Sequence, residues 1–160
     1  MPTYRCWLNG TATALTSWDS QQPLLYALRG APALHGAKMG CGLGQCGTCT
    51  VLVDNHAVRS CVVPVESIAG TRIVTIEGLG AAGRPDPVQA AFIAEQAAQC
   101  GYCTSGMVLA VKALLARTPK PGIIEIKDAL AGNLCRCGAH TRIVRAVLRA
   151  SGQLREAAGR

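Results

Sequence analysis

Eight of the nine cysteines in this 160-residue chain fall into two sets of four: Cys41, Cys46, Cys49 and Cys61, then Cys100, Cys103, Cys135 and Cys137. Thiolates are soft ligands, and two four-thiolate metal sites are the simplest reading of that grouping. The first set is spaced Cys-x4-Cys-x2-Cys, with its fourth member after Ser60. The second is Cys-x2-Cys followed, after a long gap, by Cys-x-Cys. Only a folded intervening segment can bring those two pairs around one centre.

The opening of the first set is the spacing that holds a plant-type [2Fe-2S] cluster. Gly42, Gly44 and Gly47 interleave with its cysteines. Glycine reaches positive φ without strain and leaves its amide uncovered, so the loop can curl into a nest of N–H groups facing an anion. A [2Fe-2S] cluster is such an anion: two ferric ions, two sulfides and four thiolates sum to a formal charge of about −2, and one electron makes it −3. Other uses of the thiols fit less well. The cysteine count is odd, and no secretory segment precedes them, which argues against a disulfide framework. Structural zinc is the better rival, yet zinc ribbons favour two Cys-x2-4-Cys pairs and the Cys41 to Cys49 loop is not paired that way, so zinc competes mainly at the second set.

Composition narrows the function classes. Hydrophobic residues make up 49% and charged residues 16%, so the chain folds rather than staying disordered. Its longest apolar stretches, such as Met107 to Val111, are cut short by Lys112, too short to span a bilayer. With no leader pattern at Met1 to Cys6, assembly in the cytoplasm is expected. The formal charge of +7 suggests nucleic acid until the ligand cysteines are counted. Two clusters at −2 each leave about +3, and aromatic residues at 4% offer no stacking platform, so no nucleic-acid partner is expected. Arg142, Arg145, Arg149 and Arg155 recur at helical spacing and read as a solvated or partner-facing surface.

The pattern predicts an α+β fold in two domains. Residues 1–77 read as β-rich: strands at Tyr4 to Asn9 and Thr11 to Thr16 joined by an Asn9-Gly10 turn, then a short helix striped by Leu24, Leu25 and Leu28 and stopped at Gly30. After the cysteine loop come strands at Thr50 to Val53, Ala57 to Val58 and Arg72 to Ile76, with a turn at Asp54-Asn55. A Gly- and Pro-rich linker occupies 78–87. Residues 88–160 read as four helices, marked by Val88, Ala91, Phe92 and Glu95; by Met107, Val108, Val111, Leu114 and Leu115; by Ile124 to Leu130; and by Ile143, Val144, Val147 and Leu148. The Cys100 pair joins the first two helices and the Cys135 pair the last two, so both pairs can meet at one end of a four-helix bundle.

At these residues the chain resembles the small iron–sulfur subunit of the xanthine oxidase, or molybdenum hydroxylase, family. Gly40-Cys41-Gly42-Leu43-Gly44-Gln45-Cys46-Gly47-Thr48-Cys49-Thr50-Val51 is similar to its ferredoxin-type motif. Gln99-Cys100-Gly101-Tyr102-Cys103 and Gly132-Asn133-Leu134-Cys135-Arg136-Cys137 are similar to its second motif. After Cys137 many members carry Thr-Gly-Tyr, where this chain has Gly138-Ala139-His140, a variation closer to nicotinate dehydrogenase, isoquinoline oxidoreductase and bacterial aldehyde dehydrogenase small subunits. The resemblance implies a plant-ferredoxin-like β-grasp domain before the helical one and two [2Fe-2S] clusters. It also implies a large partner subunit holding molybdenum on molybdopterin cytosine dinucleotide, where substrate is hydroxylated with oxygen from water. No substrate chemistry then falls to this chain. It splits a two-electron reaction into one-electron steps, the helical-domain cluster nearest the pterin and the ferredoxin-like one passing electrons to a flavin subunit or a cytochrome c subunit. Gln99 matches a glutamine that contacts the pterin, and Cys137 a ligand near the pterin amino group.

Several residues stay ambiguous at this level. Gln99 alone would be a polar helix-end residue, Arg136 an interface charge or a surface arginine, and His140 a donor near the second cluster or a helix-start residue. Cys6 alternates with Tyr4 and Leu8 and reads as a buried hydrophobe; Trp7 and Trp18 read as packing residues, and His35 and His56 have no assigned role. A free ferredoxin-like shuttle and a redox-sensing nucleic-acid binder remain the rival functions. If the two sets are independent, Cys100→Ser removes one of two distinct [2Fe-2S] EPR signals from the folded chain and leaves the other, whereas loss of both or of neither contradicts separate sites.

Overall fold

The computed structural model describes residues 1–31 and 33–154. Arg155, the last of the four arginines at helical spacing, lies outside the described residues. The first part of the chain builds β1 (Thr3–Leu8), β2 (Thr11–Thr16), α1 (Leu24–Arg29), β3 (Thr50–Val53), β4 (His56–Arg59) and β5 (Arg72–Val74). They form one mixed five-stranded sheet in the order β2-β1-β5-β3-β4, in which β1 and β5 are parallel and the other neighbours antiparallel.

Local chemistry explains both hairpins. Asn9 and Gly10 sit at φ 51° and 82°, Asp54 and Asn55 at 46° and 68°. Two consecutive left-handed residues are what a two-residue turn matched to strand twist demands, and Asn, Asp and Gly adopt that conformation most readily. The alternation on β1 sends Cys6 and Leu8 into the core. Leu24, Leu25 and Leu28 of α1 are fully buried against the same core, at about 1.5–3 kcal/mol for each side chain so covered. Gly30 follows α1, but its φ of −76° is right-handed, so the helix stops without the left-handed turn that a terminal glycine usually supplies.

Beyond the sheet lie α2 (Pro87–Ala94), α3 (Thr104–Arg117), α4 (Ile123–Leu130) and α5 (His140–Ala150). Contacts run α2 to α3, α3 to α4, α4 to α5 and α5 back to α2, closing a ring. Its interior is a second apolar cluster that includes Phe92, Met107, Val111, Leu114, Ile126, Ile143 and Val147. α3 also packs on β3. Its residues from Ser105 to Val111 are buried without a break, the pattern of a helix covered on all sides.

Three expectations change. The strand expected to reach Ile76 ends at Val74, because the Asn9 side chain accepts from the Thr75 N–H and donates to its hydroxyl, each at 2.9 Å, and Ile76–Gly78 becomes a 3₁₀ turn. Pro87, expected in the linker, is the first residue of α2. Asp86 caps that helix by accepting from Val88 N–H at 2.9 Å, while the Gln89 side chain accepts from Asp86 N–H. Trp7 and Trp18, expected to pack, are 52% and 73% exposed, since Trp7 falls on the outward beat of β1.

The sheet and the helices meet at backbone contact. A Cβ on Gly106 of α3 would lie 2.1 Å from the carbonyl oxygen of Gly47. Glycine inside a helix ordinarily costs up to about 1 kcal/mol relative to alanine. Gly106→Ala should therefore stabilise if only helix propensity counted. We expect instead a loss of about 1–3 kcal/mol, because the clash is with backbone that cannot swing aside; urea denaturation of the variant reads the sign.

Candidate iron–sulfur centres

The first four thiols come from a loop and a strand end. Cys41, Cys46 and Cys49 sit between α1 and β3, and Cys61 follows β4, so the β3–β4 hairpin carries the fourth thiol back to the loop. Gly42, Gly44 and Gly47 adopt φ of 69°, 71° and 78°, as a nest requires. The left-handed glycines aim chiefly their neighbours' amides. Leu43, Gln45 and Cys46 N–H groups lie 3.3, 3.2 and 3.3 Å from the Cys41 sulfur, and Gly44 N–H donates to Cys61. Cys41 N–H in turn approaches the Cys46 sulfur at 3.4 Å.

The second four thiols sit where helices begin. Cys103 directly precedes α3. Cys135 receives N–H groups from Cys137, Gly138 and Ala139, the last being the residue before α5. Cys100 receives the Tyr102 N–H. Both helices thus begin at this quartet, and the donated N–H groups favour thiolate at Cys100 and Cys135.

Within each quartet the thiols lie close enough to influence one another, Cys41 acting on Cys61 and Cys100 on Cys103 as well as the nearer neighbours. Cys41 contacts Cys46 and Cys49 contacts Cys61. Cys100 contacts Cys137 and Cys103 contacts Cys135. Mononuclear zinc gathers four ligands at one point. Among the described residues no three His, Cys, Asp or Glu side chains converge in that way. Two pairs of thiols side by side, ringed by amide donors, fit a diiron cluster with two thiolates on each iron.

Each quartet has one exposed thiol, and the first also has two buried ones, whereas the rest of the second are half-buried. Cys41 and Cys100 are exposed, whereas Cys49 and Cys61 are buried. Donated amides from Leu43, Cys46 and Gln45 draw the Cys41 thiol down to about 6. Burial pushes Cys61 up to about 11 and Cys103 to about 12, each aided by its neighbouring thiol. At Cys135 burial also pushes upward, but the surrounding N–H groups outweigh it and the thiol falls below its ordinary value.

The two quartets touch through the backbone. Leu134 N–H donates to the Cys46 carbonyl at 2.9 Å, joining the residue before Cys135 to a residue of the first quartet. Tyr102, between Cys100 and Cys103, reaches with its hydroxyl to the Met39 carbonyl just ahead of Cys41. Arg59 and Asn133 cross the same junction. Sequence reading gave none of these junction residues a role; the lone Gly106 amid apolar helix was the signal it could have used.

Other expected residues fall as follows. Gln99 is exposed beside Cys100, Arg136 is exposed, and His140 is the exposed first residue of α5. Cys6 is a buried core residue whose thiol burial pushes up. Arg145 and Arg149 both pair with Glu95 at the end of α2, at 2.8 and 2.7 Å, and Arg142 donates to the Gln96 carbonyl. Arg142 and Arg145 stay exposed, so the face is solvated as expected, with Glu95 as its partner on the protein.

Comparison with known proteins agrees with this geometry. Residues 8–71 match the family described as "2Fe-2S iron-sulfur cluster binding domain", and residues 75–148 the family described as "[2Fe-2S] binding domain". The small chain of nicotinate dehydrogenase from Pseudomonas putida is 57% identical over 129 residues, covering 81% of this chain and 82% of that one. The chain belongs to the iron–sulfur small subunits of the molybdenum hydroxylase family. The alpha chain of isoquinoline 1-oxidoreductase from Brevundimonas diminuta is 46% identical over 144 residues, covering 90% of this chain and 94% of that relative. The crystal structure of quinoline 2-oxidoreductase from Pseudomonas putida 86 contains a chain that superposes with a TM-score of 0.88 at 33% identity, with 94% of each chain covered. As a member of this family the chain is an electron-transfer subunit of an oxidoreductase that carries [2Fe-2S] clusters. Among the described residues no helix is long and apolar enough to cross a membrane.

In chain stripped of iron, Cys41 is thiolate at neutral pH and Cys61 is not. Brief iodoacetamide treatment at pH 7 should therefore label Cys41 well ahead of Cys61, with the gap narrowing as pH rises toward 11; peptide mass mapping reads the order.

Proposed function

We propose that both quartets, Cys41, Cys46, Cys49 and Cys61 with Cys100, Cys103, Cys135 and Cys137, hold [2Fe-2S] clusters in series, linking the molybdenum site of a large partner subunit to an external acceptor. The observation that carries this reading is the gathering of the eight thiols into two groups fed by backbone amides, in loops joined by the Leu134 to Cys46 hydrogen bond. When bound, each cluster supplies storage for a single electron. The chain's own groups do the rest. Amides from Leu43, Gln45 and Cys46, freed by Gly42, Gly44 and Gly47, offset the negative charge on the first quartet. The N-terminal ends of α3 and α5 do so on the second.

The exposed edges set a direction. Gln99 and Cys100 lie open on one quartet, with Cys137 paired to Cys100, and this edge would face the pterin of the large subunit. Cys41 is the open edge of the other quartet, where electrons would leave to a cytochrome c or flavin subunit. The domain assignment follows: a plant-ferredoxin-like β-grasp domain at 1–77, a linker at 78–87 and a four-helix bundle from residue 88 onward, supported by the two apolar clusters and the closed ring of helices. The partner's cofactor would be molybdopterin cytosine dinucleotide. The relatives named for nicotinate, isoquinoline and quinoline favour an N-heteroaromatic substrate, with an aldehyde as the other class. Assembly would take place in the cytoplasm.

Native purification under anaerobic conditions tests the reading. The chain should co-purify with a much larger, molybdenum-containing polypeptide and carry about four irons and four acid-labile sulfides. Zinc without labile sulfide, or iron-loaded chain emerging alone and free of molybdenum, contradicts it.

A further inference from the structure

Arg59 ends β4 two residues before Cys61 and is partly buried at the junction of the two ligand loops. Its guanidinium donates to the Thr50 hydroxyl, to the Gly132 carbonyl at 2.9 Å and to the Asn133 side-chain oxygen at 3.0 Å. All three acceptors are neutral. The ion pairs among the described residues involve Lys112, Arg145 and Arg149, and Arg59 is in none of them. The surroundings are tightly built: Thr50 is fully buried and donates to the Gly47 carbonyl at 2.6 Å, Asn133 is 2% exposed, and a Cβ on Gly132 would lie 2.8 Å from the guanidinium.

A partly buried cation held only by neutral groups keeps its full charge free to act on any anion within range, because those acceptors supply hydrogen bonds but no net charge. Every partner of Arg59 leads within two or three residues to a candidate ligand. Thr50 adjoins Cys49, its acceptor Gly47 adjoins Cys46, Asn133 precedes Cys135 by two and Gly132 by three. Three residues reach at most about 11 Å, and charges within that distance away from bulk water are weakly screened. The clusters are the anions in question, and each gains one further negative charge on reduction.

We propose that Arg59 is a countercharge shared by the two [2Fe-2S] sites, a fixed positive charge that favours the reduced state of both and so links their potentials. This rests on the reading that both quartets hold clusters. The role is a positioning and electrostatic one, exercised through the Thr50, Gly132 and Asn133 contacts. Exchange of charge, not of shape, is what should move the potentials. Lysine at this position keeps the charge and loses the fork; glutamine keeps a polar group and loses the charge.

Potentiometric titration of the assembled, iron-loaded complex, with each cluster followed by its own EPR signal, tests this without recourse to turnover. Arg59→Gln should make both clusters about tenfold harder to reduce, a fall of about 59 mV for one electron, while Arg59→Lys stays near the unaltered protein. Arg59→Met keeps much of the length of the side chain and drops the charge, so it should lower both potentials as Arg59→Gln does. If Arg59→Gln fails to assemble, the Arg59→Met titration decides. Unmoved potentials in the charge-neutralising variants, or equal shifts in Arg59→Lys and Arg59→Gln, overturn the countercharge and leave only a clamp. Fewer than two cluster signals in the unaltered protein would instead remove the reading beneath it.

Discussion

One backbone carbonyl, that of Gly47, holds the molecule's two halves at contact distance. It accepts from the Thr50 amide and hydroxyl, takes the Asn133 side chain at 3.4 Å and lies against the bare Cα of Gly106. Closeness of this kind is available only where two backbones meet without side chains between them, and it is what allows Leu134 to reach the Cys46 carbonyl. A relay needs its two centres near each other and rigidly placed. The same contact serves both, since the Ser105 to Val111 stretch of α3, directly after Cys103, is buried without a break.

Electrostatics then follow from where charge has to sit. Two loaded clusters, as proposed, would be two anions, and the protein meets the eight thiols with short-range dipoles. Glycine-freed amides face the first quartet and helix ends face the second. Several full charges are engaged by counterions, Arg145 and Arg149 by Glu95 and Lys112 by Asp86. Glu77, accepting from Thr75, His35 and Gly36, is held ionised on the far side of the sheet-to-helix passage: burial pushes its carboxyl up, but those hydrogen bonds outweigh it and keep it below its ordinary value. Against this background a guanidinium placed between the ligand loops with neutral partners stands out.

Much of the scaffold was legible in the residues because the causes were local. Asn9-Gly10 and Asp54-Asn55 demand left-handed backbone and therefore hairpins, and the leucine stripe at residues 24, 25 and 28 admits one inward face. The cysteine spacing with its glycines fixed the first loop for the same reason. Where the reading failed, a distant group had intervened. Asn9 captures Thr75 and ends the last strand early. Trp7 looked like core because tryptophan is large and apolar, yet the beat of β1 leaves it outside.

Spacing, glycine placement and hydrophobic period are properties of near neighbours, so the order of residues alone was enough to name the candidate ligands, the loops that carry them and the succession of two halves along the chain. Which thiol stands beside which, that Cys46 and Leu134 share a hydrogen bond, and that Arg59, Asn133 and Gly106 meet at the seam emerged from the folded chain and from nothing short of it. Most of those partners lie tens of residues apart, and contacts between them arise from how packed layers close on one another, a geometry that no local pattern of side chains encodes.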